Sequence, residues 1–142
     1  MIAYLKQKRV KMKMNDIYEF EYKVEEKDLA SLLSITKEDT FPSVLATYRM
    51  IALMEMAEGR LMFPLLNEGE LSVGVHVNTI HTAPTLVDNI IKIKAKFNGM
   101  EGKLYNFDVE IFDAGGSAGK GTHSRAIINN EKLLAGAGKR VL

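Results

Sequence analysis

Hydrophobic and polar residues alternate along four segments of this chain, a period of two that predicts β-strands, and a fifth strand is expected after them. The first strand is expected over Ile17–Val24, where Tyr18, Phe20 and Tyr22 share one face. The other four lie in the second half of the chain, at residues 71–81, 87–97, 105–111 and 118–129. Each of the four alternating segments presents one apolar face, as a half-buried antiparallel strand does.

Glycine-containing connections predict where these strands turn. Asn98-Gly99 indicates a tight turn after the third strand, and Asp113–Gly116 indicates another before the last strand. Gly119 and Gly121 lie inside the last strand, where glycine is typical of a bend or of a close approach by another backbone. The later strands are therefore expected to form a run of antiparallel neighbours.

One long helix is expected over Val44–Leu66, ahead of those strands. The segment is rich in Ala, Leu and Met and is apolar nearly all round, which is typical of a buried helix. Phe41-Pro42 precedes it, and proline favours extended geometry in the residue before it. A buried helix followed by antiparallel strands predicts an α+β fold with one sheet wrapped around a central helix. This is the hot-dog arrangement, although periodicity alone also allows other helix-on-sheet folds.

The bulk properties indicate one ordinary soluble domain. A chain of 142 residues has the length of a single domain and can bury a sizeable core. Its formal net charge of +1 gives no general attraction to nucleic acid. It contains no cysteine, which excludes disulfides and thiolate chemistry and fits a reducing cytoplasm. No apolar run reaches the ~18 residues of a membrane span, so membrane insertion is not expected.

The start of the chain differs from the rest in charge. Its basic residues have no acid among them; they are Lys6, Lys8, Arg9, Lys11 and Lys13. Such a run is usually a solvated extension, although a phosphate or a membrane surface could also attract it. We therefore expect a basic extension over residues 1–14 and a single domain over residues 15–142.

Glu55 and His81 are the most informative titratable residues. Glu55 sits in the middle of the apolar helix without a cationic helical neighbour, so its charge needs solvent or a partner from elsewhere in the fold. His81 keeps the phase of Leu71 and Val77, so it points to the helix side of its strand unless a bulge intervenes. The functional hypothesis is a His81–Glu55 pair, in which the carboxylate orients the imidazole. An exposed glutamate and a core histidine bonded to a backbone carbonyl are the alternatives.

Thr47 lies near the start of the expected helix, about two turns before Glu55. A threonine at this place is commonly a cap or a first-turn residue. With His81 in reach, its hydroxyl could instead act as a nucleophile or position a water, and backbone N–H groups at the helix start could stabilise an oxyanion. His76 and His81 are five residues apart on a strand and face opposite sides, and the sequence has no nucleotide-binding glycine motif. No metal or redox cofactor is expected.

Three separated blocks resemble the fluoroacetyl-CoA thioesterase family, a branch of the hot-dog thioesterases. The blocks are Phe41–Thr47 with Leu53–Glu55, then Thr79–Ala83, then Gly121–Ala126, in the order of the family. The resemblance covers residues 41–128, which is most of the folded chain. It implies an acyl-CoA thioesterase of hot-dog fold that forms a homodimer or a higher homo-oligomer.

The resemblance also assigns six site positions. The catalytic positions correspond to Thr47, Glu55 and His81, and the substrate-binding positions correspond to Phe41, Gly74 and Arg125. Gly74 and Arg125 would line the acyl end of the pocket, and Phe41 would cover it. Glu38 stands where the fluoroacetate-selective member carries a second aromatic residue, so the resemblance does not extend to fluoroacetyl selectivity.

The resulting hypothesis is hydrolysis of an acyl-CoA thioester at the interface of two subunits. His81, oriented by Glu55, would act as a general base on the Thr47 hydroxyl or on a water. Two other functions use the same fold: a hydratase or dehydratase, and a non-catalytic acyl-CoA-binding or sensor protein. A hydratase usually carries its acid and histidine in a loop motif that this sequence lacks, whereas a sensor could dispense with the three polar residues.

Overall fold

In a computed structural model that describes residues 9–141, one five-stranded antiparallel sheet packs against one main helix. The strands are β1 (Ile17–Lys23), β2 (Glu70–His81), β3 (Ile90–Glu101), β4 (Leu104–Asp113) and β5 (Gly116–Asn129). Helix α1 spans Thr47–Met62, a 3-10 turn over Phe63–Leu65 follows it, and a second helix, α2, spans Asn130–Lys139. The strand order β1-β3-β4-β5-β2 leaves β2 at one edge. The expected α+β hot-dog arrangement is confirmed, whereas α2 was not predicted.

The hydrophobic core lies between the inner face of the sheet and one face of α1. Met50 and Leu53 of the helix and Ile93 of β3 are fully buried in it. Burial of one apolar side chain of this size contributes about 1.5–3 kcal/mol. The expectation of a buried helix holds for the side that faces the sheet but not for the other side, where Tyr48 and Met56 are 47% and 41% exposed. A single sheet covers only one side of a helix, so the other side is left open within one chain.

Helix α1 begins later than the sequence predicted, at Thr47. The two residues before it are extended because their N–H groups are bonded to neighbouring loops. The N–H of Leu45 donates to the carbonyl of Thr85 at 2.8 Å. The N–H of Ala46 donates to the carbonyl of Asp28 at 2.9 Å. These two bonds fix where the helix starts and therefore where Thr47 lies.

A β-bulge at Val75 changes the faces of β2 relative to the sequence prediction. Before the bulge, Gly74 faces α1, whereas Leu71 lies on the outer side and is 50% exposed. After the bulge, Val77 and His81 face α1. One extra residue reverses the phase of a strand. Leu71 and His81 therefore do not share a face, although His81 points to the helix as expected.

Glycines set the turns and one close approach between strands. The turn at Asp113–Gly116 is confirmed. Asn98-Gly99 is not a turn: it lies inside β3, where a positive φ of +95° at the glycine accommodates a bulge, and the hairpin turn follows at Gly102. The predicted close approach at Gly121 is confirmed, because a Cβ there would collide with the carbonyl of Asn78 on β2.

The basic extension is described from Arg9 onward. The Arg9 guanidinium pairs with the Glu70 carboxylate at 2.7 Å and donates to the carbonyl of Leu65 at 2.9 Å. This part of the extension is therefore held against the start of β2. Lys6 and Lys8 lie outside the described residues.

A buried carboxylate fixes the segment that leads into α1. Asp28 is fully buried and accepts hydrogen bonds from the Tyr22 hydroxyl (2.6 Å), the Arg49 Nε (2.5 Å) and the Glu25 N–H (2.8 Å). Burial opposes ionisation, but these hydrogen bonds outweigh it and hold the pKa of Asp28 below its ordinary value of 3.8. Because Arg49 belongs to the first turn of α1, the cluster ties β1 and the loop to the start of the helix.

We expect Asp28→Asn to lower the free energy of unfolding by about 2–3 kcal/mol at pH 7, because it leaves the largely buried Arg49 charge without its partner. A carboxyl with a lowered pKa stabilises the fold only while it is ionised, so the difference from wild type should shrink below pH ~4. Urea unfolding at pH 7 and at pH 3 measures both values. Asp88→Asn, at a carboxylate that is 76% exposed, is the matched control. A loss at Asp28 that did not depend on pH would contradict this account.

Candidate active site

Thr47 and His81 meet where the start of α1 packs against the end of β2. Oγ1 of Thr47 lies 2.9 Å from Nδ1 of His81, which is hydrogen-bonding distance. The preceding residue, Ala46, is the N-cap position and has no capping side-chain bond, so the Thr47 hydroxyl does not serve as the helix cap. The N–H groups of the first helical turn have no acceptor inside the helix, and they belong to the same turn as Thr47.

The imidazole of His81 is held in its neutral form. Burial lowers the pKa of His81, and the backbone of Ala83 only partly opposes this effect. Nε2 is enclosed and has no hydrogen bond of ordinary geometry among the described residues. A neutral imidazole carries its hydrogen on one nitrogen and accepts on the other. A hydrogen on Nε2 leaves Nδ1 free to take the proton of the Thr47 hydroxyl.

A cleft opens beside this pair. Its volume is about 370 Å³, within the range of small-molecule sites. Most of its lining is apolar; apart from Thr47 and His81, it includes Phe41, Pro42, Val44, Ala83 and Pro84. Phe41 is 46% exposed, so part of its ring remains open to solvent. The predicted cover residue therefore lies on the same cleft as the hydroxyl and the imidazole.

Glu55 has a different partner. Its Oε2 accepts a hydrogen bond from Nη1 of Arg125 at 2.7 Å, and Arg125 is only 7% exposed. Arg125 also donates to the hydroxyl and the backbone carbonyl of Ser72, at 3.2 and 3.0 Å. Gly74 lies against the same pair, since a Cβ there would come within 2.8 Å of the Glu55 Oε2. The cation that the helix sequence did not supply to Glu55 therefore comes from β5.

The Thr47–His81 pair and the Glu55–Arg125 pair lie at opposite ends of the contact between α1 and β2. Thr47 and Glu55 are eight residues apart, which is about 12 Å along a helix. His81 and Gly74 are seven residues apart, on the order of 20 Å along a strand. The expected His81–Glu55 pair is therefore not formed within one chain, because helix and strand geometry hold the two side chains apart. The catalytic and binding roles of the six named residues stay predictions.

Three neighbours of the Glu55–Arg125 pair were not predicted from the sequence. Glu58, one turn after Glu55, is fully buried and is hydrogen-bonded through Oε2 to Nδ1 of His123. Ser72 holds Arg125 from the side of β2. A signal was present, because a second glutamate three residues after the first lies on nearly the same helix face. His123 and Arg125 alternate on β5 and so share a face.

Neither a metal site nor a membrane-spanning helix is found in residues 9–141. No three His, Asp or Glu side chains in this range are grouped as ligands of a metal ion. No helix in it is both long and apolar enough to cross a membrane.

Both the sequence and the fold are similar to those of thioesterases. Residues 24–131 match the family described as fluoroacetyl-CoA-specific thioesterase. The fluoroacetyl-CoA thioesterase of Streptantibioticus cattleyicolor is 39% identical over 95 residues, 67% of this chain and 68% of that protein. The chain belongs to the fluoroacetyl-CoA-specific thioesterase family. It is therefore a thioester hydrolase.

Solved structures of this family share the fold. A structure of the fluoroacetyl-CoA thioesterase has a TM-score of 0.88 and 30% identity, with coverage of 94% of this chain and 100% of that chain. A mutant of that enzyme in complex with fluoroacetate and CoA has a TM-score of 0.82 and 31% identity, with coverage of 86% and 99%. The family match includes both groups described above, Thr47 with His81 and Glu55 with Arg125.

We expect the His81 ring to titrate below the ordinary histidine pKa of ~6.5, because burial disfavours its charged form. The chain has three histidines, so ring NMR signals followed against pH can be assigned by the loss of one signal in His81→Gln. A group with a lowered folded-state pKa destabilises the fold as the pH drops below its unfolded value. His81→Gln should therefore lose less stability than wild type between pH 7 and pH 5. Titration at or above ~6.5 would contradict the neutral-base assignment.

Proposed function

We propose that this protein hydrolyses an acyl-CoA thioester to a carboxylic acid and CoA, with Thr47 and His81 as the reacting pair. The observation that supports this most directly is the 2.9 Å contact between the Thr47 hydroxyl and the neutral His81 imidazole beside an apolar cleft. Family membership supports the thioester as the bond that is cut. The solved complex with fluoroacetate and CoA supports a CoA ester as the substrate.

In the proposed reaction, Nδ1 of His81 removes the proton from the Thr47 hydroxyl or from a water that this hydroxyl positions. The resulting oxygen nucleophile attacks the thioester carbonyl carbon, and the N–H groups of the first turn of α1 stabilise the oxyanion. The intermediate then collapses, the C–S bond breaks, and CoA leaves as a thiolate or takes the proton from His81. In the covalent route, His81, neutral again once its proton has left with CoA or to solvent, removes a proton from a water that attacks the acyl-Thr47 ester, and the departing Thr47 oxygen takes that proton back.

A homodimer would bring Glu55 to this pair. Strand β2 is an edge strand of 12 residues, and such an edge tends to pair with another strand. Val77 and Ile80 on it are 43% and 54% exposed. A two-fold axis near Val77 would pair the two β2 strands antiparallel and set the His81 end of one copy against the Gly74 end of its partner. The partner's Glu55 would then stand beside the His81 imidazole and stabilise the imidazolium that forms.

Loss of the imidazole should remove most of the turnover. We expect His81→Ala to lower kcat on the order of 10²–10⁴-fold, as for removal of a general base. Thr47→Val should be similarly impaired and Thr47→Ser should stay active, because serine keeps the hydroxyl. Release of the CoA thiol from acyl-CoAs of different chain length measures these rates. Thr122→Val, on the opposite face of the sheet, is the matched control.

Two further measurements, made alongside the thiol-release assay, separate the covalent route, the direct-water route and mere binding. Mass spectrometry of the quenched reaction should detect an acyl group on Thr47 in the covalent route, whereas full activity of Thr47→Ala would exclude that route. Binding of acyl-CoA without thiol release at any chain length would overturn the enzymatic proposal and favour a binding protein.

Mixing two inactive variants tests whether the site is shared between subunits. We expect His81→Ala and Glu55→Gln to be inactive alone and to regain activity when co-expressed. In such a heterodimer, one interface site has both residues intact and the other has neither. A site built within one chain would leave every site with one lesion, and co-expression would then restore nothing. Tagged purification of the heterodimer gives the specific activity per intact site.

A further inference from the structure

A buried network of polar side chains lies behind the Glu55–Arg125 pair, and the proposed reaction does not use it. Glu58 on α1 is fully buried, and His123 on β5 is 1% exposed. Nδ1 of His123 is hydrogen-bonded to Oε2 of Glu58, and its Nε2 lies 2.7 Å from the Thr79 hydroxyl on β2. Both ring nitrogens have partners, so the imidazole is fixed between the helix and the edge strand.

This network of Glu58, His123 and Thr79 reaches the Arg125 guanidinium. Oε1 of Glu58 lies 3.8 Å from Nη1 of Arg125, the same nitrogen that donates to Glu55. Oε1 is buried and has no hydrogen bond among the described residues. At this distance Glu58 attracts the guanidinium electrostatically, while Ser72 and Glu55 form its hydrogen bonds. Arg125 is therefore held from the helix by two carboxylates and from β2 by Ser72.

The cluster brings ionisable groups together in a buried place. Glu55 and Glu58 supply two carboxylates, and Arg125 supplies a permanent cation. Burial raises the pKa of Glu58, while His123 and Arg125 oppose that effect. Buried ionic groups add little stability compared with apolar residues of the same volume. The physical consequence of the cluster is thus mainly that it fixes the positions of its members.

We propose that Glu58 and His123 are positioning residues that clamp Arg125 at the acyl end of the site. His123 fixes the Glu58 carboxylate, and Glu58 in turn keeps the guanidinium against Glu55 and the Gly74 backbone. The consequence for catalysis rests on the proposed thioesterase function. The clamp itself is a property of the free protein and can be measured without substrate.

The Nε–H signal of Arg125 in 15N-labelled protein tests the clamp directly, because this group donates to Ser72. Its assignment follows from its loss in Arg125→Lys. Glu58→Gln keeps the side-chain shape and removes the charge, and we expect the Nε–H of Arg125 to exchange with water about tenfold faster in that variant. Ile111→Val, which removes a buried methylene on β4, is the control and should leave the signal unchanged. An unchanged Arg125 signal in folded Glu58→Gln overturns the proposal.

Should Glu58→Gln fail to fold, the double variant Glu58→Met with His123→Leu makes the same test, because it leaves neither partner of the buried pair unpaired. Faster exchange of the Arg125 Nε–H in the double variant supports the clamp, and wild-type exchange overturns it.

Thiol-release kinetics test the consequence for the substrate. We expect Glu58→Gln to raise KM about tenfold with a smaller change in kcat, because Arg125 is the predicted contact of the acyl group. A merely structural role would lower the concentration of active enzyme, so that the apparent kcat falls and KM stays constant. An unchanged KM in folded Glu58→Gln overturns the positioning role. If wild type released no thiol, the proposed function would fail, and the exchange measurement would still decide the clamp.

Discussion

Helix α1 approaches strands β2 and β5 closely because these strands carry glycine where the elements meet. A Cβ on Gly119 would lie 2.5 Å from a methionine sulfur of the helix, and one on Gly121 would collide with a carbonyl of β2. A Cβ on Gly74 would press against the helix glutamate. A side chain at Gly121 would force β2 away from β5, because it would meet backbone atoms, whereas at Gly119 and Gly74 the Met50 and Glu55 side chains would have to shift. His81 pairs with Gly119 in this register, so the close approach of β2 to β5 helps to set where the imidazole lies.

The contact of α1 with β2 and β5 holds two groups with different electrostatic properties. The Thr47–His81 pair is uncharged at rest, because burial keeps the imidazole neutral. A neutral imidazole is the form that can accept a proton from the Thr47 hydroxyl. The Arg125 end is permanently charged, and its cost of burial is offset by carboxylates and by Ser72. Because the two ends are separated along β2, the pKa of His81 within one chain reflects burial, which lowers it, and the backbone of Ala83, which partly opposes that effect.

The strands and the main helix could be predicted because a period of two or of 3.6 reflects burial of one face. Partners could not be predicted in the same way. Alternation correctly placed His81 on the helix side of β2. Its partner there is the Thr47 hydroxyl at the start of α1, because Glu55 lies eight residues further along the helix. The bulge at Val75 could not be predicted, because strict alternation assumes that no extra residue interrupts the strand. Helix α2 was not predicted because its glycines lower the helix propensity of the segment. Glu58 is visible as a polar residue in an apolar helix, but only the strand order brings His123 to it.

In the proposed dimer, recognition of the acyl group would be divided between the two ends of β2. Phe41 lines the cleft beside the reacting pair, whereas Glu38 accepts a hydrogen bond from the Thr36 hydroxyl at 2.7 Å and is not among the lining residues. Arg125 lies at the other end, so a substrate that meets both Phe41 and Arg125 bridges two protomers of the proposed dimer. In that dimer, selectivity for the acyl group would depend on the register of the two β2 strands as well as on the residues that line the cleft. A slip of one residue moves a strand by about 3.3 Å, whereas a misplacement of roughly 1 Å already costs on the order of 10²-fold in rate.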